Sequence, residues 1–472
     1  MKTRLFIIIL VCILIGILIA YLAYYRQFYY ALFLLIVAML AFALKRGKAG
    51  VCDWLFLFIL TMPFHSLRLG GDVYFVRLTE IAFIPLFLFW LVERSLRREQ
   101  CLEMHKEFFM ILGFWVINIL AISKSMYPLI SVMRVLIIGY LIIFCYLVSD
   151  ILRSSQRIIS LTRAMVVISA FSAVLAIAQV FIPGLHIFLR HSLVSLGSIT
   201  LYRAGAGWED PNYYALYLVM NTALTLSYLF SRQLKTKWLF RLCFLLQCAG
   251  VVATFSRMGF VCLFSVLIYS LFTYRKLKIA ICILLIAIVV IVGLVCSIEY
   301  IYEQNPFLQA YVFRQPDLEM LQQYPQLILV YRWDAFRANW RMFVDNPFLG
   351  VGPFMAMHNY SKYVPADALL SKKEVLDTHN QYLQLLSEKG IFGFIFFMGF
   401  IVLIWKRLTR LIMRFKQDQV CFVLIGLKGS IFAYLVASLV TQTTHEIQFW
   451  LSAGLCFALF SILEKKGQPD VG

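Results

Sequence analysis

The sequence predicts an all-α polytopic membrane protein with about 12–14 transmembrane helices and one long external loop carrying short amphipathic helices. Three observations predict it. Hydrophobic residues make up 62% of the 472 residues and charged residues only 14%, with a mean hydropathy of +0.84; no soluble domain of this size has that profile. Apolar runs of spanning or near-spanning length recur along the whole chain. Lys and Arg, which give a net charge of +19, fall mostly in alternate short loops, as they do when those loops are cytoplasmic. In a soluble chain that excess would point to nucleic acid. Here it reports topology, and no nucleic-acid partner is expected.

The predicted spans are roughly 5–25, 28–44, 51–67, 75–93, 108–123, 128–149, 163–182, 212–231, 238–255, 258–273, 278–298, 391–405, 420–441 and 447–463. The first lacks a small-residue cleavage site and reads as an uncleaved span. The third, fifth and tenth are short, which leaves the count between twelve and fourteen. With the N-terminus inside, the cytoplasmic ends and loops hold more than half of the 43 Lys and Arg. Both termini are then cytoplasmic, and 299–378 is the large external loop. A smaller external loop covers about 183–211. The organisation is 1–200 as N-terminal spans, 201–405 as the region that carries chemistry, and 406–472 as C-terminal spans with a cytoplasmic tail. The 11 Cys fall almost entirely in apolar runs with no C-x-x-C spacing, so they read as small core hydrophobes without disulfides or metal.

External arginines need a reason, because basic residues are expected inside. Arg203, Arg257, Arg332 and Arg337 are embedded in apolar or glycine-containing context. Arg203-Ala-Gly-Ala-Gly-Trp-Glu-Asp210-Pro211-Asn212 ends at a span, with Asp210 as the expected helix cap and Pro211 in the first turn. Thr254-Phe-Ser-Arg257 sits between two apolar runs at the outer boundary. In 331–344, Trp333, Phe336, Trp340, Phe343 and Val344 form one apolar arc at about 100° per residue. That arc predicts an amphipathic helix lying on the bilayer or against the bundle. Thr378 and Gln381 have capping-box spacing, which predicts a helix with Thr378 as its cap and His379, a neutral potential base, in its first turn. Gly390 is placed to end that helix. His358-Asn359 reads as surface loop and His445-Glu446 as an interfacial pair. Glu80 is either functional or paired with Arg77, and Lys428 lies unexplained within a span.

Taken together, these fragments carry a resemblance. His379-Asn380, nine residues, Gly390, two residues and Gly393 match the H-[NSQ]-x9-G-x-x-[GTY] pattern of the O-antigen ligase and polymerase superfamily. The sequence also resembles that family at Thr254–Arg257, at Arg203–Asn212, and at Arg332-Trp-Asp-Ala335 followed by Asn346-Pro-Phe-Leu-Gly-Val-Gly-Pro-Phe354. The resemblance covers about 200–405.

It implies a GT-C-like, inverting and metal-independent glycosyltransferase in the bacterial inner membrane, with its active site on the periplasmic or extracellular face and no cofactor. The implied donor is an undecaprenyl-diphosphate-linked glycan. The acceptor is lipid A–core in a ligase or a lipid-linked glycan in a polymerase. The products would serve lipopolysaccharide, capsule or exopolysaccharide. His379, Arg257 and Arg332 are the implied catalytic residues; Arg203, Arg337, Asp210 and Asn380 would bind substrate. The chemistry suits these types: a departing diphosphate needs fixed positive charge, and an attacking hydroxyl needs a base. A polysaccharide flippase is the competing class, since Glu80, Arg134 and Lys428 would suit a pathway through the membrane. The chain shows no symmetric halves to support it.

Overall fold

The computed structural model describes residues 50–66, 68–69, 76–97, 105–182, 185, 192–196, 199–231, 237–276, 327–364 and 378–466. The expected spans at 5–25, 28–44 and 278–298, and most of the loop 299–378, lie outside them. The chain divides into two compact units, Met1–Glu99 and Gln100–Gly472.

In the first unit, helix α1 (Val51–Thr61) pairs with α2 (Leu78–Arg97). Trp54 stacks on Phe89 at 4.6 Å, and the Val51 N–H at the start of α1 donates to Glu93 Oε2 at 3.0 Å. A two-residue hairpin, β1 (Arg68–Leu69) and β2 (Val76–Arg77), precedes α2. The Glu80 carboxylate accepts the Arg77 backbone N–H at 3.0 Å. The Arg77 guanidinium donates to His65 Nε2 at 3.0 Å, so His65 Nδ1–H is left to donate to Thr79 Oγ1 at 2.7 Å.

The second unit holds α3 (Lys106–Ala121), α4 (Pro128–Ile151), α5 (Ser155–Phe181), the hairpin β3 (Ser192–Leu196) and β4 (Ile199–Tyr202), then α6 (Pro211–Phe230), α7 (Lys237–Ala253) and α8 (Arg257–Thr273). After the gap come α9 (Leu327–Asp345), α10 (Ala356–Tyr363), α11 (Gln381–Arg414), α12 (Cys421–Ala437) and α13 (Ile447–Lys466). Among the described residues, five stretches are long and apolar enough to cross a membrane: Lys106–Lys124, Pro128–Ile151, Ser155–Phe181, Gln381–Arg414 and Ile447–Lys465. Val51–Phe64, Arg257–Thr273 and Cys421–Ala437 are shorter apolar helices. The protein is therefore an all-α polytopic membrane protein.

Helix α6 lies at the centre of the second unit, with every residue from Tyr214 to Tyr228 buried. Its polar side chains are spent inside the bundle. Thr225 donates to Gln247 Oε1 at 2.8 Å, and Gln247 Nε2 donates to Ser169 Oγ at 2.8 Å, which ties α5, α6 and α7 together. Such interhelical bonds and small contact residues hold helices where lipid removes the hydrophobic drive. Helix α12 runs antiparallel to α6, with Gly426 against Ser227 and Leu224, and Ser430 bonded to the Met220 carbonyl. The α3, α11 and α13 ends that carry basic residues meet at Arg407, which binds Glu107 at 2.9 Å and also pairs with Glu464. Because successive helices reverse, the motif-bearing ends of α6, α8, α11 and α12 gather at the opposite end of the unit.

Candidate active site

The first half of the site is built by three chain segments. Arg203 Nε donates to the Thr254 carbonyl and its Nη2 to Asn212 Oδ1, both at 3.1 Å. Asn212 Oδ1 also accepts from Ser256 Oγ at 2.8 Å. Ser256 caps α8, accepting the Gly259 N–H at 3.1 Å, and Asp210 caps α6, accepting the Asn212 N–H at 2.7 Å. One asparagine thus joins two motif fragments that lie far apart in sequence. Arg257 opens α8 directly after this cap, with its side chain exposed. Helix N-terminal N–H groups and guanidinium charge favour the same kind of ligand, an anion.

The second half is built around His379. The helix starts later than the capping-box spacing predicts. Asn380 is the cap, its Oδ1 accepting the Leu383 N–H at 3.0 Å. Its Nδ2 donates to the Leu439 carbonyl at 3.1 Å. His379 therefore precedes the helix, in a left-handed conformation with φ +45°, a backbone region that non-glycine residues seldom occupy. Distant partners explain the shift. The Thr378 hydroxyl donates to Asn339 Oδ1 on α9 at 3.0 Å. The Gln381 N–H donates to the Ser438 carbonyl at 2.8 Å, and Gln381 Oε1 accepts the Thr443 and Thr444 N–H groups at 2.7 and 2.9 Å.

Gly390 breaks α11 as expected, with φ +63°. What the break does is visible only in the fold. The carbonyls of Ser387 and Glu388 accept the Val351 and Gly352 N–H groups, and the Ile391 N–H donates to the Pro347 carbonyl. The turn 346–354 thus replaces the hydrogen bonds that the break removes. A Cβ at Gly390 would lie 2.2 Å from the Phe348 carbonyl, and one at Gly350 would lie 2.2 Å from Glu388 C. Beneath the turn, Ala335, Ala338, Met342, Val351, Met355, Ala356 and Tyr360 form a small core. Glu388 and Lys389 form a buried ion pair at 2.7 Å.

Helix α9 forms over the predicted stretch but docks by another face. Ala335, Ala338, Asn339 and Met342 are buried, whereas Trp333, Trp340 and Val344 of the predicted arc are exposed. The small residues allow close helix packing; Phe336 and Phe343 of the arc are half-buried. Arg337 pairs with Asp334 at 3.6 Å on the same helix. Arg332 lies on α9, but its side chain is outside the described residues. His358-Asn359 is not loop but part of α10, with His358 against the rings of Tyr127 and Phe354.

The two halves share one end of the α6–α12 pair. Gly426 meets Ser227 and Ser430 meets Met220. Continuing that antiparallel register by about two turns brings Ser438 to the level of Asn212. Ser438 holds Gln381, two residues from His379, and Asn212 holds Arg203 and Ser256.

The family comparison matches part of this region: residues 242–398 fit the family model described as O-antigen ligase (Wzy_C), which leaves Arg203, Asn212 and Ser438 outside the match. Over these residues the chain is similar to that family. The match begins in α7 and runs through Arg257, α9 and the broken helix to the first half of the span that follows. Comparison with curated proteins gives no match. Sequence reasoning missed Asn339, Gln381 and the 438–444 turn as parts of this region; Gln381 was in view only as a member of a capping box.

Proposed function

We propose that the protein transfers a glycan from an undecaprenyl-diphosphate donor to a sugar hydroxyl, at the outer face of the cytoplasmic membrane and without a metal. The observation that carries this reading is the Asn212 junction. It fixes Arg203 and opens α8 with Arg257 at the same end of α6–α12 as His379.

In this reading the arginines bind the diphosphate, with Arg332 as the third by family resemblance. Arg203 is oriented by the Thr254 carbonyl and the Asn212 side chain, which point its guanidinium at one end of α6. His379 takes the proton of the acceptor hydroxyl. The acceptor oxygen bonds to the anomeric carbon as the bond from that carbon to the phosphate oxygen breaks, which inverts the configuration. The electron pair leaves on the diphosphate, where fixed guanidinium charge stabilises it. Asp210 and Asn380 act as caps and so shape the site rather than touch the donor. Arg337, paired with Asp334, has the weakest claim to substrate.

The test uses purified protein with an undecaprenyl-diphosphate-linked glycan, EDTA, and neither ATP nor an ion gradient. Two acceptors, lipid A–core and a second lipid-linked glycan, separate ligase from polymerase. Wild type is expected to turn over. His379→Ala should lose about 10²–10⁴-fold, and His379→Gln nearly as much, because an amide cannot take the proton. A fully active Gln variant or a strict Mg²⁺ requirement would overturn the mechanism.

A further inference from the structure

The turn between α12 and α13 contains polar groups that the fold itself does not use. Gln381, Thr444 and Gln448 are 1%, 3% and 1% exposed. Gln381 Nε2, Thr444 Oγ1 and both amide atoms of Gln448 have no hydrogen-bond partner among the described residues. A buried polar group left unsatisfied costs about 1–3 kcal/mol, and native proteins carry few of them.

The Gln381 amide cannot be turned to cure this. Its Oε1 accepts two backbone N–H groups, from Thr443 and Thr444. Exchanging the amide atoms would set an NH₂ against two donors. Gln381 Nε2 is therefore fixed as a donor, and covalent geometry keeps it close to Thr444. The turn is rigid: Ser438 and Thr443 hydroxyls bond at 2.6 Å, and Trp450 Nε1 holds the Thr444 carbonyl at 2.8 Å. That last bond ties Thr444 to the opening of α13, where Gln448 stands one turn further on. Gln381 is two residues from His379, within about 7 Å along the chain.

We propose that Gln381, Thr444 and Gln448 bind the hydroxyls of the acceptor sugar and so determine which acceptor is presented to His379. The groups are neutral, and between them they supply fixed donors, an acceptor and a hydroxyl that is both, which is the complement of a sugar hydroxyl pair. A diphosphate would call for positive charge, which these side chains lack. The proposal rests on the transferase reading above and names the acceptor side of that site.

Thr444→Val and the double variant Thr444→Val/Gln448→Leu test it while leaving the Gln381 clamp intact. The probe is the lipid-linked glycan extracted from the host membrane, serving as donor and acceptor. The readout is the ratio of glycan transfer to donor hydrolysis, in which water replaces the sugar. That ratio should fall about tenfold or more in the double variant, since a site built to bond hydroxyls discriminates through them. Thermal stability should hold or rise, because unsatisfied polar groups are removed. An unchanged ratio in a folded variant overturns the proposal and assigns the three groups to a trapped water. If wild type neither transfers nor hydrolyses, the transferase reading falls. The three-residue cluster is then read alone by thermal shift with free hexoses and N-acetylhexosamines. Stabilisation of wild type that the double variant lacks keeps the hydroxyl-binding site, and no stabilisation of wild type removes it.

Discussion

The two ends of the Gln100–Gly472 unit use arginine in opposite ways. At the basic end, Arg407 meets Glu107 and Glu464, lies near His105 Nδ1 at 3.1 Å, and stacks over Phe460 at 4.5 Å. Its charge is consumed in closing α3, α11 and α13 on one another. At the motif end, Arg203 is held by a carbonyl and an amide oxygen, and Arg257 stands exposed on the first turn of α8. An ion pair of the first kind gives geometry by cancelling charge. An arginine on the first turn of a helix lies beside free N–H groups that favour the same ligand, an anion.

Breaking each end separately sharpens the contrast. Arg407→Met leaves Glu107, 5% exposed, as a buried charge without its cation. It should cost about 3–5 kcal/mol, read as a lower unfolding temperature in detergent. Arg257→Ala should leave that temperature unchanged and lower transfer about 10²–10³-fold, as removal of one transition-state donor does. Arg257→Lys should recover little, because an ammonium lacks the bidentate fork. If the two variants exchange phenotypes, the assignment of structural and chemical ends is wrong.

The next effect lies between those ends, at the break in α11. Gly390→Ala puts a Cβ at a left-handed φ of +63° and 2.2 Å from the Phe348 carbonyl. With ψ −168° the backbone lies in a region essentially confined to glycine, a strain of about 1–3 kcal/mol, and the 346–354 turn must also move. Loss of transfer should accompany the loss of stability, since the same turn and α9 hold Thr378 beside His379. A stable, active Gly390→Ala would mean that the broken helix can straighten without moving the histidine.

Local chemistry was legible in the sequence wherever a residue serves its own neighbours. Asp210 before Pro211 caps α6, and Gly390 breaks α11. What the sequence hid are choices decided by partners far along the chain. The Thr378–Gln381 spacing fits a capping box, but Asn339 takes the Thr378 hydroxyl and the 443–444 turn takes the Gln381 amide, so Asn380 becomes the cap. Periodicity found the aromatic arc of α9, yet it could not see that the alanine face fits the bundle more closely. The motif spacing marked Gly390 without revealing that 346–354 would replace its missing hydrogen bonds.

The smallest effect is expected at Lys428, an intramembrane cation that a transport pathway would require. Its Nζ donates to Thr409 Oγ1 at 2.7 Å and lies 4.4 Å from the Trp405 ring centre. Both partners sit on α11 beside Arg407 and Arg410, so the ammonium is engaged at the basic end, away from His379. A lysine so placed packs its stem on apolar surface and points its head toward the polar boundary. Lys428→Met keeps the stem and removes one hydrogen bond and one cation–π contact, each about 1 kcal/mol or less. Transfer by purified protein should stay within about twofold of wild type, a change of under half a kcal/mol in barrier. The same variant should complement the host for surface glycan. Loss of complementation with transfer intact would assign Lys428 to moving a substrate across the membrane, and the flippase reading would return alongside the transferase.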